Sequence, residues 1–369
     1  MASLRPKCLG FHNIGRSQSA SRIDATIVIP TYERAAVLLE TLRRLTEIDY
    51  PRGQWEAVVV DDGSRPETLE MTRDWIKMST APVRLLQESH RGPAAARNRG
   101  AREAAGEALI FLDNDCLVAP DFIRRHLEVL RKHPGCWIVG RVVHPSELRR
   151  TAFGRYRDDC FEAFHVSQGN VDPSETEGIT AQNLALWRAD FLRLGEFDEE
   201  FSIASSEDWE LGRRARDLGI RVLYDPHNAV VHNDWAVSLD HFCERQRLYS
   251  ISDVLLWRKY GERTPRARLV RENGRVRWMC DSPKLVLKKV VKRLLATRTG
   301  TVALRRVCTI VERVAPDSRL SRRAYQLTVG IAIFQGVREG LALYGEAPAV
   351  PEASLAKQRG VTRKWSSRP

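Results

Sequence analysis

Apolar and polar residues alternate in blocks along the first 120 positions of the chain. The short apolar runs predict buried strands at residues 25–29, 55–60, 83–87 and 108–112. The stretches between them have apolar residues at helical spacing, which predicts helices over residues 35–45, 67–77 and 93–105. This alternation predicts an α/β fold with a doubly wound, mostly parallel sheet flanked by helices, in which ligands bind beyond the carboxyl ends of the strands.

Polar clusters follow three of these strands, at residues 31–34, 61–64 and 113–115. Because the carboxyl ends of parallel strands meet at one edge of the sheet, we expect these clusters to share a site. Asp113 and Asp115 are two positions apart, so in an extended segment both carboxylates project to the same side. A solvated acidic loop is the alternative interpretation of such a pair when it stands alone.

Two carboxylates this close repel each other unless a cation lies beside them, and oxygen ligands suit Mg²⁺ or Mn²⁺ shared with substrate phosphates. The chain has no Gly-x-Gly-x-x-Gly after the first strand and no Gly-x-x-x-x-Gly-Lys-Ser/Thr motif. The ordinary dinucleotide and P-loop sites are therefore excluded, and we expect a metal ion to hold the phosphates.

The later part of the first 240 residues continues the mixed pattern. Strands are predicted at residues 182–187, 222–224 and 229–231, and a helix from about residue 207 to residue 218. Residues 141–179 are aromatic and charged without clear periodicity, which predicts an irregular segment. Loops of this length inside a domain are usually functional or mobile.

Eight short segments, taken in order, resemble the family 2 glycosyltransferases, which have the GT-A fold and use nucleotide sugars. They are IPTYER (29–34), VDDGS (60–64), GPAAARNRG (92–100), FLDND (111–115), QN (182–183), GEFDE (195–199), SEDWEL (206–211) and VH (231–232). Each segment is a weak signal by itself, but their order and approximate spacing make the resemblance specific. It covers residues 24 to about 240.

The resemblance assigns roles to individual residues. It implies that the donor nucleotide sugar is bound by Pro30, Thr31, Tyr32, Glu33, Asp62, Arg97, Asp113 and Asn114. It implies that Mn²⁺ or Mg²⁺ is bound by Asp115, Asp113 and His232, and that Asn183 and Trp209 contact the acceptor within a region that includes residues 141–179. For Arg97 a surface charge, and for His232 a structural histidine, remain the alternatives.

The predicted helix at residue 207 carries the candidate catalytic acids. Ser205 and Ser206 offer caps, which places Glu207 and Asp208 in the first turn. The helix dipole favours a charged carboxylate there, so we expect Asp208 to stay ionised and able to accept a proton. Glycosyl transfer by direct displacement needs such a base for the acceptor hydroxyl.

The resemblance makes Asp208 this base, with Glu207 orienting it or binding the acceptor. It also implies inversion of the anomeric centre, since one base without an evident nucleophile suits a single displacement. The alternative is that both acids only complement the helix dipole.

Composition and charge divide the 369 residues into unlike parts. Residues 241–369 contain 28 Lys and Arg against 10 Asp and Glu, a net charge of +18, whereas residues 1–240 contain 31 against 37, a net charge of −6. Seven scattered cysteines without a Cys-x-x-Cys pair argue against a disulfide framework and a zinc site, and fit a reducing cytoplasm. The predicted organisation is a disordered leader (1–22), a GT-A domain (23–240), a basic and mainly helical C-terminal extension (241–345) and a disordered tail (346–369).

The extension contains a helix predicted over residues 284–295. Its apolar residues form one stripe, and basic residues flank that stripe; the apolar members are Leu287, Val290, Val291, Leu294 and Leu295. A basic amphipathic helix is typical of a membrane-surface element. A helix packed on the core with a solvated basic face is the equal alternative. Residues 327–343 are apolar, but Arg338 and Glu339 interrupt them and they are too few to span a bilayer.

These observations predict an inverting, metal-dependent glycosyltransferase. It would move a sugar from a nucleotide-diphosphate donor, expected to be uridine-linked, to a hydroxyl of a glycan, lipid-linked or other cell-envelope acceptor. The expected location is cytoplasmic, peripheral at an anionic membrane surface. The alternative is an inert GT-A domain that acts as a membrane-surface binding or scaffold protein. Nucleic acid is not an expected partner, because no recognition-helix or aromatic-interleaved basic motif is present.

Overall fold

The computed structural model describes residues 23–166, 173–234 and 237–345. Within these residues, nine strands form one mixed sheet. The strands are β1 (Ala25–Thr31), β2 (Trp55–Asp61), β3 (Val83–Gln87), β4 (Ala108–Leu112), β5 (Cys116–Leu117), β6 (Cys136–Val143), β7 (Ser174–Glu175), β8 (Asn183–Trp187) and β9 (Arg221–His232).

The sheet has a parallel half and a mixed half. Strands β3, β2, β1 and β4 are parallel neighbours, in that order, and they are the four strands that the sequence predicts. Beyond β4 the order continues as β8, β6, β9 and β5, and β8 runs antiparallel to both β4 and β6. The predicted α/β fold with a mostly parallel sheet is confirmed.

Twelve helices flank or extend this sheet in the described ranges. They are α1 (Ala35–Leu45), α2 (Pro66–Met78), α3 (Pro93–Glu103), α4 (Phe122–Lys132), α5 (Ala152–Val166), α6 (Arg188–Leu194), α7 (Glu207–Asp217), α8 (Leu239–Tyr260), α9 (Ala267–Asn273), α10 (Pro283–Leu295), α11 (Arg298–Val314) and α12 (Arg319–Tyr344).

Side chains of β1 alternate between the two faces of the sheet, as the period of a strand requires. Ile27 and Ile29 lie in the core under α1 and α4, whereas Val28 lies in the core with α3 and α7. All three are fully buried. Helices on both faces explain why the strands are continuous apolar runs rather than alternating ones.

Two predictions about the second half of the domain are wrong. Residues 141–179, expected to be irregular, contain a 3₁₀ turn (Ser146–Arg150) and α5. Phe153 on α5 packs with Cys308 and Tyr325 of the C-terminal helices, contacts that local sequence periodicity does not reveal. The two short strands expected at 222–224 and 229–231 are one continuous strand, β9, whose irregularity is a register shift against β6.

Leu255 and Leu256 of α8 pack on Phe201 of the sheet domain, and α12 lies along α8. At Gly336 a Cβ atom would stand 2.0 Å from the carbonyl oxygen of Arg247, and at Gly340 it would stand 2.8 Å from Cβ of Val254. Glycine is therefore required at both positions for the two helices to approach so closely.

The predicted boundary after residue 240 falls within the first turn of α8. The leader (1–22) and the tail (346–369) lie outside the described residues. None of the helices in the described part of the chain combines the length and the hydropathy that a bilayer crossing requires.

Candidate active site

The Asp113-Asn114-Asp115 segment lies directly beyond the fully buried strand β4. Arg34 Nη1 donates to Oδ2 of Asp115 at 2.8 Å, and Nε2 of His232 lies 3.3 Å from Oδ1 of the same carboxylate. Arg97 Nη2 donates to Oδ1 of Asp113 at 2.7 Å. Each acid of the pair therefore faces a cationic partner, and the structure brings together Asp113, Asp115, Arg97 and His232 as the sequence predicts.

The surroundings of Asp115 keep it ionised. Burial alone would raise its pKa, but the neighbouring His232 and the Arg34 guanidinium outweigh burial and hold the pKa of Asp115 well below its usual value. An ionised, buried carboxylate that already attracts a guanidinium is the kind of group that binds a divalent cation.

The donor atoms beside Asp115 fit a hard divalent ion. Asp115 supplies carboxylate oxygens and His232 an imidazole, a combination that Mn²⁺ accepts and Mg²⁺ accepts in part. The Nδ1 atom of His232 is buried without a hydrogen-bond partner in the described residues, so one ring nitrogen is not used by the contacts of the fold. Among residues 23–166, 173–234 and 237–345, however, no three His, Cys, Asp or Glu side chains stand together as a metal cluster. The Asp113 carboxylate is paired with Arg97 instead.

The turn after β1 presents an aromatic surface at the same edge of the sheet. The ring of Tyr32 stacks on that of His90, with centroids 4.1 Å apart and planes 21° apart, and Tyr32 is exposed. Asp62 is buried below them, and its carboxylate accepts hydrogen bonds from the backbone N–H groups of Arg91 and Gly92. Asp62 thus fixes the loop that carries His90, next to the surface predicted for the nucleotide.

Two residues predicted to bind the donor instead support the turn. The Glu33 carboxylate accepts from the backbone N–H of Arg65 and from Thr68 Oγ1, so it caps the start of α2. The Asn114 amide donates to Oγ1 of Thr31 and is buried. Of the predicted donor-binding turn, Pro30 and Thr31 are also buried. The structure therefore gives the exposed position in this turn to Tyr32.

Arg97 links the two ends of the site. Its Nη1 donates to Oε1 of Glu207 at 2.8 Å, and its Nη2 donates to Asp113. The three residues meet although Arg97 and Glu207 are 110 positions apart in the chain. Burial alone would lower the pKa of Arg97, but Asp113 and Glu207 raise it above its usual value. Arg97 is therefore a buried ion-pair bridge, not a surface charge.

Asp208 does not have the electrostatics that its position in the first helical turn predicts. Its side chain lines the cleft, and loss of hydration there, together with the adjacent charge of Glu207, raises its pKa well above the usual value. Arg97 and the backbone N–H of Trp209, which donates to Oδ1 at 2.7 Å, oppose this shift without cancelling it. The expectation of an ordinary ionised acid is wrong, because desolvation outweighs the helix dipole.

The prediction that Asn183 contacts an acceptor is also wrong. Its side chain is fully buried. The amide oxygen accepts a hydrogen bond from Nε2 of His126 at 2.8 Å, and the amide nitrogen donates to the carbonyl oxygen of Asn228 at 2.9 Å. The preceding residue, Gln182, lines the cleft instead. Gln182 lies in the turn just before β8 and Asn183 is the first residue of that strand, so a one-residue difference decides which of the two meets a ligand.

The cleft beside Asp208 is a cavity of about 370 Å³. Trp209 lines it as predicted, together with Gln246 and Tyr249 of α8 and Arg266 before α9. Burial raises the pKa of Tyr249 to about 12, so its hydroxyl stays protonated and can donate a hydrogen bond into the cleft. Sequence analysis missed these residues because α8 carries no motif and lies beyond the resemblance.

Comparison with known proteins agrees with this geometry. Residues 26–182 match the family described as glycosyl transferase family 2. The chain contains a family 2 glycosyltransferase domain. The validoxylamine A glucosyltransferase of Streptomyces hygroscopicus subsp. jinggangensis is 29% identical over 258 residues, a match that covers 63% of this chain and 58% of that relative. The chain thus spans somewhat more than half the length of this curated relative.

Two solved structures share the fold of this chain. The mannosyltransferase PcManGT from Pyrobaculum calidifontis, in complex with GDP-Man and Mn²⁺, is 20% identical with a TM-score of 0.54, covering 85% of this chain and 87% of that one. GalNAc-T7 with UDP, GalNAc and Mn²⁺ is 18% identical with a TM-score of 0.50, covering 73% and 54%. The predicted GT-A fold and family are confirmed.

Proposed function

We propose that this protein is an inverting, metal-dependent glycosyltransferase that uses a nucleotide-diphosphate sugar. The observation that carries the proposal is one continuous chain of contacts, in which Arg97 joins Asp113 of the strand-end acidic pair to Glu207, next to Asp208. Candidate donor site and candidate base are thereby held at a fixed separation in one cleft.

The donor would lie at the edge of the sheet near β1, β2 and β4. Tyr32 and His90 offer a flat aromatic surface for a nucleotide base, and Asp62 shapes the loop beside it. Asp115 and His232, with Asp113 once Arg97 releases it, would hold Mn²⁺ or Mg²⁺. The bound ion would offset the charge that develops on the departing diphosphate. The mannosyltransferase and GalNAc-T7 structures contain Mn²⁺ and support this part of the proposal.

Asp208 would take the proton of the acceptor hydroxyl as that hydroxyl attacks the anomeric carbon. A raised pKa makes an acid a stronger base once it is ionised, which suits this role. Trp209 and Gln182 line the same cleft and would contact the acceptor. The acceptor would be a hydroxyl of a glycan, lipid-linked or other cell-envelope molecule.

Calorimetry of nucleotide binding tests the donor site. UDP, GDP and dTDP would be titrated, each with and without Mn²⁺, into the wild type and into Asp115→Ala. We expect one nucleotide to bind in the presence of Mn²⁺ and its affinity to fall about tenfold or more in the variant, since a charged ligand contact is lost. The exposed Asp74→Ala is the matched control and should bind like the wild type. Folded protein that binds none of the three would reject the proposal and favour the inert scaffold.

We also propose that α10 holds the protein at an anionic membrane surface, because this helix exposes apolar side chains and buries a lysine. Its apolar residues Leu287 and Leu294 are 64% and 69% exposed, whereas Lys289 is only 2% exposed. Lys289 Nζ donates to Oδ2 of Asp281 at 2.7 Å and to the carbonyl oxygen of Arg275 at 2.9 Å. The exposed leucines argue against the alternative of a helix packed on the core with a solvated basic face.

The surroundings of this stripe complement an anionic bilayer. Lys284, Lys288 and Arg293 are exposed on α10 beside it, and the net charge of the region from residue 241 is +18. The adjacent α11 also exposes apolar side chains, among them Ile310 and Val314. Apolar residues that enter the acyl boundary and cations that meet anionic headgroups are the two contributions that bind an interfacial helix.

Vesicle flotation tests the membrane proposal. We expect the wild type to bind phosphatidylserine-containing vesicles, to bind phosphatidylcholine vesicles weakly, and to lose binding as salt increases. Leu287→Gln combined with Leu294→Gln should reduce binding about tenfold or more. Met78→Gln, at an exposed methionine of the sheet domain, is the control. Equal binding of both vesicle types, or concentration-dependent self-association without vesicle binding, would overturn the proposal.

A further inference from the structure

A second cavity, of about 650 Å³, adjoins the catalytic cleft. The two share Gly178 and Trp209 as lining residues, so they are neighbours on either side of these positions. The walls of the second cavity come from β7 and the segment after it, from α7, and from the end of α8 with the turn that follows. No role has been given to this cavity so far.

Helix α7 leads from the catalytic cleft into the second cavity. Asp208 in its first turn lines the cleft, while Trp209, Arg213 and Arg216 line the second cavity. Positions i, i+4 and i+7 share one face of a helix. With a rise of about 1.5 Å per residue, Arg213 and Arg216 lie about 6 Å and 10 Å along the axis from Trp209. A ligand that reached Asp208 with one end would therefore meet these arginines further along.

The cavity offers three arginines to such a ligand, against two lining glutamates, Glu175 and Glu177, so its charged lining residues are net positive. Arg213 pairs with Asp217 at the surface, and Arg216 donates to the carbonyl oxygen of Glu177, so neither guanidinium is fully satisfied. Arg263 is exposed and makes no hydrogen bond or ion pair with the described residues. Five N–H donors in a planar fork suit carboxylate and phosphate groups.

Aromatic rings complete the lining. The guanidinium of Arg266 lies over the ring of Trp209, 5.6 Å from its centroid. Tyr260 also lines the cavity, and its hydroxyl donates to Oε1 of Glu210 at 2.6 Å, which fixes its ring. Aromatic faces beside polar groups bind the apolar faces of sugar rings, so a cavity with both features suits a charged carbohydrate.

The position of the cavity distinguishes an acceptor from a donor. Arg97 and Asp113, on the proposed donor side, line the catalytic cleft but not the second cavity, and Tyr32 and Asp115 line neither. The second cavity is reached through Trp209, which follows the proposed base directly in the chain. The base takes its proton from the acceptor, so the ligand that extends past it on this side is the acceptor.

We propose that this cavity is an acceptor subsite for a negatively charged unit of a glycan chain. The subsite rests on the proposed function, because it extends the cleft of the proposed base. The anion is a carboxylate or a phosphate on the acceptor chain, bound by Arg213, Arg216 and Arg263 while Trp209 contacts the neighbouring ring.

Binding of defined oligomers tests the subsite. Tetragalacturonate, an oligomer of glycerol phosphate, and the neutral maltotetraose would be titrated by calorimetry, with and without UDP or GDP and Mn²⁺. We expect either anionic oligomer to bind more tightly than maltotetraose. Arg213→Gln combined with Arg263→Gln should weaken anionic binding about tenfold or more, since two charged contacts are lost.

The control carries the same change of net charge elsewhere. Arg43→Gln combined with Arg131→Gln removes two exposed arginines of the sheet domain and should leave oligomer binding unchanged. Equal affinity for charged and neutral oligomers, absence of binding, or equal loss in the control would overturn the subsite. Nucleotide binding in the same variants separates the two failures, because an intact Mn²⁺-dependent response leaves the proposed function standing when the subsite fails.

Discussion

Helices α1 and α10 both carry a stripe of apolar residues, but they present it in opposite directions. On α1, Leu38, Leu42 and Leu45 are buried in the core under the sheet. On α10, Leu287 and Leu294 face outward. Periodicity shows that a helix has an apolar face, but only the neighbours decide whether that face meets the protein's own core or a partner.

The sheet domain and α10 each contain a buried cation, and the two cations have different partners. Arg97 in the sheet domain connects acids on two elements of the candidate active site. Lys289 on α10 pairs with Asp281, only eight residues before it, and donates to the carbonyl oxygen of Arg275. The first cation organises a site, whereas the second fastens one helix with its polar side inward and leaves the apolar side free.

The largest expected effect concerns Asp208. Asp208→Asn should lower the transfer rate by a factor of about 10²–10⁴, because the general base is lost. Both regions should keep their fold, since the amide retains the shape of the side chain. Rate measurements with the acceptor identified, together with a thermal melt, check this. A variant that unfolds, or that transfers sugar at the wild-type rate, would contradict it.

The pH profile sharpens the same point. An acid acts as base only when ionised, and the pKa of Asp208 is raised by loss of hydration and by Glu207. The transfer rate should therefore rise with pH through a pKa above the usual value of about 3.9 for Asp. A rate that is already constant from about pH 5 upward, near the range of an unperturbed carboxyl, would show that the pKa of the base is not raised and would contradict this prediction.

Removal of Arg97 should have the largest effect on stability. Arg97→Leu leaves Glu207 and Asp113 without their partner, and breaking a buried ion pair on one side costs about 3–5 kcal/mol. The free energy of unfolding in denaturant measures this loss. Arg99→Leu, at a half-exposed arginine on the same helix, is the control and should change the free energy by much less. Similar losses of unfolding free energy for both variants would mean that the ion pairs of Arg97 with Asp113 and Glu207 contribute no more than those of a surface arginine.

A pair of leucine truncations tests the comparison of the two stripes. Leu42→Ala should lower the free energy of unfolding by about 2–5 kcal/mol, because it opens a cavity in the core. Leu294→Ala should change it by about 0.5 kcal/mol or less, because the side chain is already exposed. Denaturant unfolding of both variants without lipid is the measurement. A large loss for Leu294→Ala would show that the stripe of α10 is covered within the protein.

The last prediction concerns the pH dependence of stability that Lys292 contributes. Burial, aided by Lys288, lowers its pKa to about 8, whereas in the unfolded chain it is about 10.4. Between these values the unfolded state holds more protons, so stability should rise with pH over this window. Below the lower value the cost of the buried charge is fully present. The rise should be absent in Lys292→Met, and an identical pH dependence in both proteins would contradict it.

The candidate site was predictable where chemistry depends on position along the chain. Asp113, Asp115 and Asp208 follow from a strand end and a helix start, and the structure places them in one region. Side-chain direction was less accessible, because Asn183 and Gln182 are adjacent and only one of them faces the cleft. Glu33 was assigned to the donor, but its carboxylate accepts from the backbone N–H of Arg65 at the start of α2, which follows the next strand along the chain.

The sequence by itself determined the alternation of strands and helices, the acids at the strand end and the existence of the α10 stripe, because these depend on local periodicity and residue type. Only the tertiary structure joined Arg97 to Asp113 and Glu207, brought Tyr249 of α8 to the cleft and turned the α10 stripe outward. Such features depend on contacts between residues far apart in the chain, and burial there changes both which side chains face a ligand and where they titrate.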